Sequence, residues 1–253
     1  MVNPAGGNSP QAAPELSIVV PAHNEEHRIA PTLRTYANHF AKRSEILVVL
    51  NGCTDRTLDV VAATSREFPV IRAINIPEAV GKGGAVREGF RQSRGRLVGF
   101  VDADGATTPA EFARLIAMMD GADGLIASRW IDGAKVYHRT SVIRAMASRG
   151  FITLTRWLFK LPYHDTQCGA KIFTARFVRE VLPRMRINDL TFDVELLLLG
   201  RSARFKIREV PTEWYDRSSP VLLGTPGRVF RTSLSMFMSL LSLYRRAVRE
   251  HLL

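Results

Sequence analysis

Short apolar runs alternate along the first half of the chain with longer stretches in which apolar residues recur every three or four positions. The runs at residues 16–20, 45–50, 71–76 and 97–101 are rich in Val, Ile and Leu and read as strands buried on both faces. The stretches between them carry helix starts. Asn24-Glu25-Glu26 offers a capping side chain followed by acids and opens a helix to about Lys42. Thr54 or Asp55 caps a second helix to about Glu67, and Gly81 opens a third to about Ser93. Thr108-Pro109-Ala110-Glu111 is a capping box with proline at the first helical position, opening a helix to about Met119.

This alternation predicts an α/β fold with a mostly parallel sheet flanked by helices. Ligands in such sheets lie beyond the carboxyl ends of the strands, which places Pro21-Ala22-His23, Asn51-Gly52 and Asp102-Ala103-Asp104 along one crevice. In the second half the pattern predicts a strand at 123–129, a polar loop at 132–139 and a long helix at 141–160. A polar interruption at 165–169 precedes a short strand at 170–173, a helix at 192–202 and a strand at 205–214. No repeat or linker divides the chain, so residues 15–222 read as one domain. Residues 1–14, rich in Gly, Pro, Asn and Ala, read as a disordered leader, and residues 223–253 as a basic amphipathic C-terminal helix.

Composition changes this picture in one respect. At 253 residues, 46% hydrophobic and 23% charged, the chain has the makeup of an ordinary folded protein. Its net charge of +11 implies an anionic partner: nucleic acid, a phosphorylated ligand or an acidic membrane surface. Nucleic acid is disfavoured, because neither aromatic interleaving nor a recognition-helix signature accompanies the charge. Cys53 and Cys168 form no metal-ligand pattern, and two cysteines suit a reducing compartment. No apolar run reaches the roughly 18–20 residues of a membrane span, so the expectation is a cytoplasmic protein, soluble or peripheral at the membrane.

The candidate chemistry centres on Asp102 and Asp104, whose apolar lead-in ends in two carboxylates two residues apart. Residues i and i+2 of a strand share a face, and paired carboxylates suit a hard divalent cation; Asp and Gly after a strand also make an ordinary turn. Gly81-Lys82-Gly83-Gly84, with Arg87 one turn on, would offer backbone N–H groups and a point charge to an anion. The P-loop spacing is absent, and the glycines equally permit close packing. Pro21-Ala22-His23-Asn24-Glu25 places polar side chains where a nucleobase or ribose would lie. Arg129, Lys135, Arg139, Arg144, Arg149 and Arg217 would suit a phosphate-bearing acceptor, or form a solvated face. Near the C-terminus, Phe230, Leu234, Phe237, Leu241 and Tyr244 recur at helical spacing between Arg228, Arg231, Arg245, Arg246 and Arg249. That pattern fits an interfacial helix, a helix packed on the core or a contact with a second subunit, and leaves the oligomeric state open.

Taken in order, the Pro-x-x-Asn-Glu strand end, the Val-Val-x-Asn-Gly-x-Thr-Asp turn, the Gly-Lys-Gly-Gly helix start and Asp-x-Asp resemble a family-2 inverting glycosyltransferase of the GT-A (Rossmann-like) fold. Ser128-Arg129, Asp165-Thr166-Gln167-Cys168-Gly169, Phe192-Asp193-Val194-Glu195-Leu196 and Val210-Pro211 are similar to polyprenyl-phosphate sugar synthases, closer to the dolichyl-phosphate glucosyltransferase branch than to the mannosyltransferase branch. The resemblance implies a nucleotide-sugar donor, UDP-glucose or GDP-mannose, a polyprenyl-phosphate acceptor and Mg²⁺ or Mn²⁺. It implies that Pro21, Ala22, His23 and Glu25 line the nucleoside pocket, and that Asp102 and Asp104, with the backbone of Ala103, hold the cation against the donor diphosphate. Asn51 stands where the family usually has an aspartate that reads the base or ribose. Lys82 would offset charge on the leaving diphosphate, and Arg129 and Arg217 would contact phosphate. The lysine that often follows the latter arginine is missing from residues 218–224. A lipid phosphate needs little base help; a soluble hydroxyl acceptor, the alternative within the same class, would need one, with Asp165 the candidate.

Overall fold

The computed structural model describes residues 13–137, 142–217 and 226–253, with the backbone alone for 142–148 and 226–233. Of the sequence expectations, residues 1–12, Arg139 and residues 218–225 lie outside the described residues, as do the side chains of Arg144, Arg228, Phe230 and Arg231.

The first half realises the alternation: β1 (Leu16–Ala22), α1 (Ile29–His39), β2 (Ser44–Asn51), α2 (Thr57–Glu67), β3 (Ile71–Ile76), α3 (Gly81–Gln92), β4 (Leu97–Val101) and α4 (Pro109–Ala117). The second half holds β5 (Gly124–Ser128), β6 (Lys135–Tyr137), α5 (Val142–Phe159), β7 (Ala170–Thr174), α6 (Ala175–Val181), α7 (Phe192–Ser202), β8 (Ile207–Pro211), β9 (Glu213–Tyr215) and α8 (Pro226–Arg249). Seven strands form one sheet in the order β3-β2-β1-β4-β7-β5-β8. Only β7 runs against its neighbours, pairing antiparallel with both β4 and β5.

The sheet explains why its strands read as unbroken apolar runs. Val19, Leu47, Val49 and Phe100 face one core, under α3, α6, α7 and α8. Ile18, Val20, Ile46 and Val48 face the other, under α1, α2 and α4. Alternate residues are therefore buried on opposite sides, which fills the middle of each central strand with apolar side chains and leaves polar ones such as Ser17, Glu45 and Asn51 at or near the strand ends.

Three departures from the sequence pattern have local causes. Helix α1 begins at Ile29 rather than at Asn24, because the polar groups of residues 24–26 bond across to the turn after β2. Asn24 adopts φ 55° and exchanges hydrogen bonds with Thr54, while Glu26 Oε2 accepts from the Arg56 N–H. The strand expected at 205–214 divides after Pro211. Thr212 donates its hydroxyl to Glu111 and its carbonyl accepts from Lys135, so the chain leaves the main sheet and β9 pairs in parallel with β6. Helix α6, unforeseen, starts on Thr174, whose hydroxyl accepts from the Phe177 N–H.

Helix α8 has two working faces. Leu240, Leu243 and Ala247 are buried in the core, while Phe237, Met238 and Val248 are more than half exposed. Arg246, which reads as part of a basic flank, instead turns inward to Glu195 at 2.7 Å, a carboxylate with no exposed surface that also accepts from the N–H groups of Arg186 and Ile187. Removing one partner of such a buried pair leaves an uncompensated charge. Arg246→Ala should cost about 3–5 kcal/mol, read as a lowered midpoint in urea unfolding with an unchanged slope.

Candidate functional site

The carboxyl ends of β1, β2 and β4 meet at a crevice of about 410 Å³. Its lining brings together Pro21, Ala22, His23, Glu25, Asn51, Gly81, Lys82, Asp102, Ala103 and Asp104, all singled out from sequence, and adds Ala79. The loops after β1 and β2 are zipped to each other. His23 Nδ1 lies 2.7 Å from the carbonyl of Asn51, and the Asn51 side-chain oxygen accepts from the Val80 N–H at 2.7 Å. With that oxygen engaged, Asn51 has its amide N–H groups left to offer a ligand. Glu25 is held in a two-bond pair by Arg28, at 2.7 and 2.8 Å.

The two aspartates end β4 on differently supported sites. Asp102 forms an ion pair with Lys82 at 2.5 Å and lies against Gly169, where a side chain would occupy the carboxylate's place. Asp104 accepts the Ala106 N–H at 2.9 Å. Burial, then the neighbouring Asp102 charge, push the Asp104 carboxyl above its ordinary range, against the pull of Arg28 and Lys82. Burial works against the charge on Lys82 as well, but Asp102 and then Asp193 outweigh it and raise its pKa. Such a site fits a divalent cation. Its donors are hard carboxylate oxygens, their mutual repulsion is relieved by positive charge, and two protein carboxylates leave coordination positions for a diphosphate. Among the described residues no cluster of three or more His, Cys, Asp or Glu side chains forms a metal cage.

Gly83 and Gly84 of α3 do not serve as an anion cradle. The N–H groups of Gly83 and Gly84 donate to the carbonyl of Asn188, at 2.8 and 3.3 Å. A side chain at Gly83 would run into Phe192 and the carbonyl of Ile187, so these glycines buy closeness to the loop before α7, and Lys82 is what the helix start presents to the crevice.

Beyond Asp102 lies a second charged element. Asp165, fully buried, accepts from the Arg129 N–H and Nε through Oδ2, at 3.0 and 2.7 Å, and from Arg129 Nη2 through Oδ1 at 3.0 Å. Burial opposes the Arg129 charge, but Asp165, with smaller help from Cys168 and Asp102, overcomes it and raises the pKa. The guanidinium also stands 5.2 Å from the centre of the Trp214 ring. Arg217 is exposed, its guanidinium beside Gly105 and its carbonyl accepting from Arg28, which brings it to the Asp104 side. Of the remaining basic set, Lys135 pairs with Glu213 and Arg149 stacks on Trp130 at 4.4 Å. Burial pushes the Cys168 thiol up to about 12, which leaves it inert as a nucleophile at neutral pH. Sequence reasoning missed Arg28, whose partner Glu25 lies one turn away, and Trp214; the close spacing of Glu25 and Arg28 was the available signal.

The Asp104 shift has a sign that can be tested. A carboxyl raised in the folded state stabilises the fold below its unfolded pKa of about 4 and loses that contribution as pH rises through the folded value. At neutral pH the ionised Asp104 therefore costs stability. Asp104→Asn, which keeps an oxygen for Ala106, should raise the Tm at neutral pH, each kcal/mol recovered giving roughly 2–4 °C. The gain should shrink as thermal unfolding is repeated toward about pH 4.

A profile of Glycosyl transferase family 2 matches residues 17–182. The chain is 35% identical over 215 residues to a dolichyl-phosphate beta-glucosyltransferase of Trichomonas vaginalis, covering 79% of this chain and 64% of that protein. It is 32% identical over 224 residues to the dolichyl-phosphate beta-glucosyltransferase of Drosophila melanogaster, covering 80% of this chain and 67% of the other. The chain thus spans about two thirds of the length of these relatives. In three dimensions it is similar to glucosyl-3-phosphoglycerate synthase from Mycobacterium tuberculosis, solved with Mn²⁺, UDP and glucosyl-3-phosphoglycerate, at a TM-score of 0.67 and 18% identity over 91% of this chain and 80% of that one. The structural likeness speaks to the fold, and the profile match with the sequence identities speaks to descent: the chain belongs to glycosyl transferase family 2.

Proposed function

We propose that this protein transfers glucose from a nucleotide sugar to a polyprenyl phosphate, with inversion at the anomeric carbon. The observation that carries this reading is the adjacency of two sites: a crevice that gathers Asp102, Asp104, Lys82, Asn51 and His23, and the buried Arg129–Asp165 pair beyond Asp102. The glucosyltransferase names of the relatives support the sugar and the lipid acceptor. UDP-glucose is the donor to test first, since the structural neighbour was solved with UDP and Mn²⁺.

Asp102 and Asp104 would hold Mg²⁺ or Mn²⁺, which when bound supplies positive charge to the diphosphate. His23, Glu25 and Asn51 orient the nucleoside, with Pro21 and Ala22 as its floor. A phosphate oxygen of the acceptor attacks the anomeric carbon, the bond from that carbon to the diphosphate oxygen breaks, and its electron pair leaves with the diphosphate. Lys82 faces the charge that develops there. Arg129 and Arg217 draw the acceptor phosphate. Asp165 is a positioning residue in this scheme: its side-chain hydrogen bonds go to Arg129 and to the Gln167 N–H of its own loop, and an acceptor already ionised needs no base.

The acceptor's membrane would be met by α8 and α5. Phe237 is 51% exposed, Met238 58% and Trp157 79%, with Arg245 and Arg249 on the exposed side of the same helix end. Apolar side chains ringed by arginines suit an anionic lipid surface. Among the described residues no helix is long and apolar enough to cross a membrane.

Incubation with UDP-glucose, Mn²⁺ and polyprenyl phosphate should yield a chloroform-soluble glucolipid, and Asp102→Asn or Asp104→Asn should slow it by about a hundredfold or more. Absence of product with UDP-glucose and GDP-mannose alike would remove the acceptor claim. Phe237→Ser/Met238→Ser should stop the protein floating with anionic vesicles while sparing transfer to a short-chain, water-soluble polyprenyl phosphate. A wild-type protein that never floats but glucosylates a soluble phosphorylated acceptor would replace the lipid in this reading.

A further inference from the structure

One ion pair beneath the crevice has no part in the chemistry so far. Lys171 on β7 is 0% exposed and Asp193 on α7 is 3% exposed. Lys171 Nζ donates to Asp193 Oδ1 at 2.6 Å and to the carbonyl of Cys168 at 2.7 Å, and stands 5.2 Å from the centre of the Phe100 ring. Buried ion pairs are poor stability devices: well-packed apolar residues in their place are often neutral or stabilising. The location of this pair therefore calls for an explanation.

Its surroundings supply one. Helices α3 and α7 start side by side, with Gly83 packed on Phe192 so closely that no side chain fits between them. Lys82 and Asp193 are the residues next to that contact. From the crevice inward the charges alternate: Asp102 negative, Lys82 positive, Asp193 negative, Lys171 positive. Lys82 has one ion-pair partner among the described residues, Asp102, which is also a proposed ligand of the cation. When Asp102 serves the cation, the counter-charge left behind Lys82 is Asp193. Burial holds the Asp193 carboxyl above its ordinary range, against the pull of Lys171 and then Lys82, and Lys171, hydrogen-bonded at 2.6 Å, is the nearest positive charge opposing the loss of that counter-charge.

We infer that Lys171 and Asp193 are positioning residues for Lys82, supplying a fixed negative charge behind the lysine so that its ammonium stays at the crevice and faces the leaving diphosphate. Through the Cys168 carbonyl the same lysine steadies the loop that carries Asp165, so one buried pair registers the donor side against the acceptor side. The inference rests on the reading of Lys82 as the residue that offsets diphosphate charge.

The test is a mutant cycle on the full chain with donor, Mn²⁺ and acceptor. Lys171→Met/Asp193→Leu removes both charges and fills the same space. It should keep a cooperative thermal transition and a donor KM within about threefold of wild type, while kcat falls by about tenfold or more. In a Lys82→Met background the same double change should cost nothing further, because its route of action is already gone. Should the apolar pair fold poorly, Lys171→Gln/Asp193→Asn keeps the shapes and a hydrogen bond and carries the same expectation. A slow Lys82→Met enzyme beside a fully active double variant, or losses that multiply in the combined variant, would overturn the inference and leave the reading of Lys82 intact. A fully active Lys82→Met enzyme would overturn both.

Discussion

Asp102 and Asp104 place two negative charges next to each other where water reaches them only in part, and a half-buried pair of like charges is costly unless positive charge stands nearby. The surroundings of the crevice answer that cost. Lys82 reaches Asp102 from α3, Arg28 stands over Glu25, and Arg217 closes on Gly105 from the segment after β9. None of these cations is joined to the aspartates by local sequence. They are delivered by three separate segments, so the fold around the crevice is in large part a device for bringing positive charge to the end of β4.

That delivery depends on close packing behind the site. The loop before α7 wedges between α3 and α8: Asn188 caps α3, Asp189 accepts from Ser235 and Ser239 of α8, and Glu195 is locked by Arg246. The C-terminal helix is therefore a brace behind the crevice as well as the bearer of exposed apolar side chains such as Phe237 and Met238. Its inward face and its outward face answer different demands on one stretch of sequence. Arg246 belongs to the first and Met238 to the second, although both sit in the same run of alternating Leu, Ser and Arg.

The central strands β1, β2 and β4 were legible because they satisfy a single requirement, apolar on both faces, and the site was legible because it sits at their ends. Asp102, Lys82, Asn51 and His23 could be gathered from topology alone. What the sequence hid were side chains whose partners are remote. Asn24 has the composition of a helix cap, yet its hydrogen bonds go to Thr54 on the next loop. Arg246 has the spacing of a basic flank, yet a buried glutamate claims it. Lys171 sits in a short strand with no pattern of its own, and its meaning appears only when α7 brings Asp193 beside it. Strand β6, three residues long within a polar loop, exists because Thr212 turns the chain toward it.

The carbonyl of Asn188 that seals the start of α3 bears on how the crevice releases what it holds. In phosphate sites built on an open helix start, part of the attraction is written into the backbone and persists through every stage of a cycle. Here that positive pole is turned toward another part of the protein. Attraction for an anion is left to side chains such as Lys82 and, under the proposed function, to the cation that Asp102 and Asp104 would hold. Under the proposed function, departure of the cation would leave Asp102 and Asp104 facing the diphosphate with Lys82 as their nearest counter-charge, which would weaken its hold. Under that reading, occupancy by a nucleoside diphosphate would depend on free divalent cation, and the two carboxylates proposed to admit the donor would also favour release of its remnant.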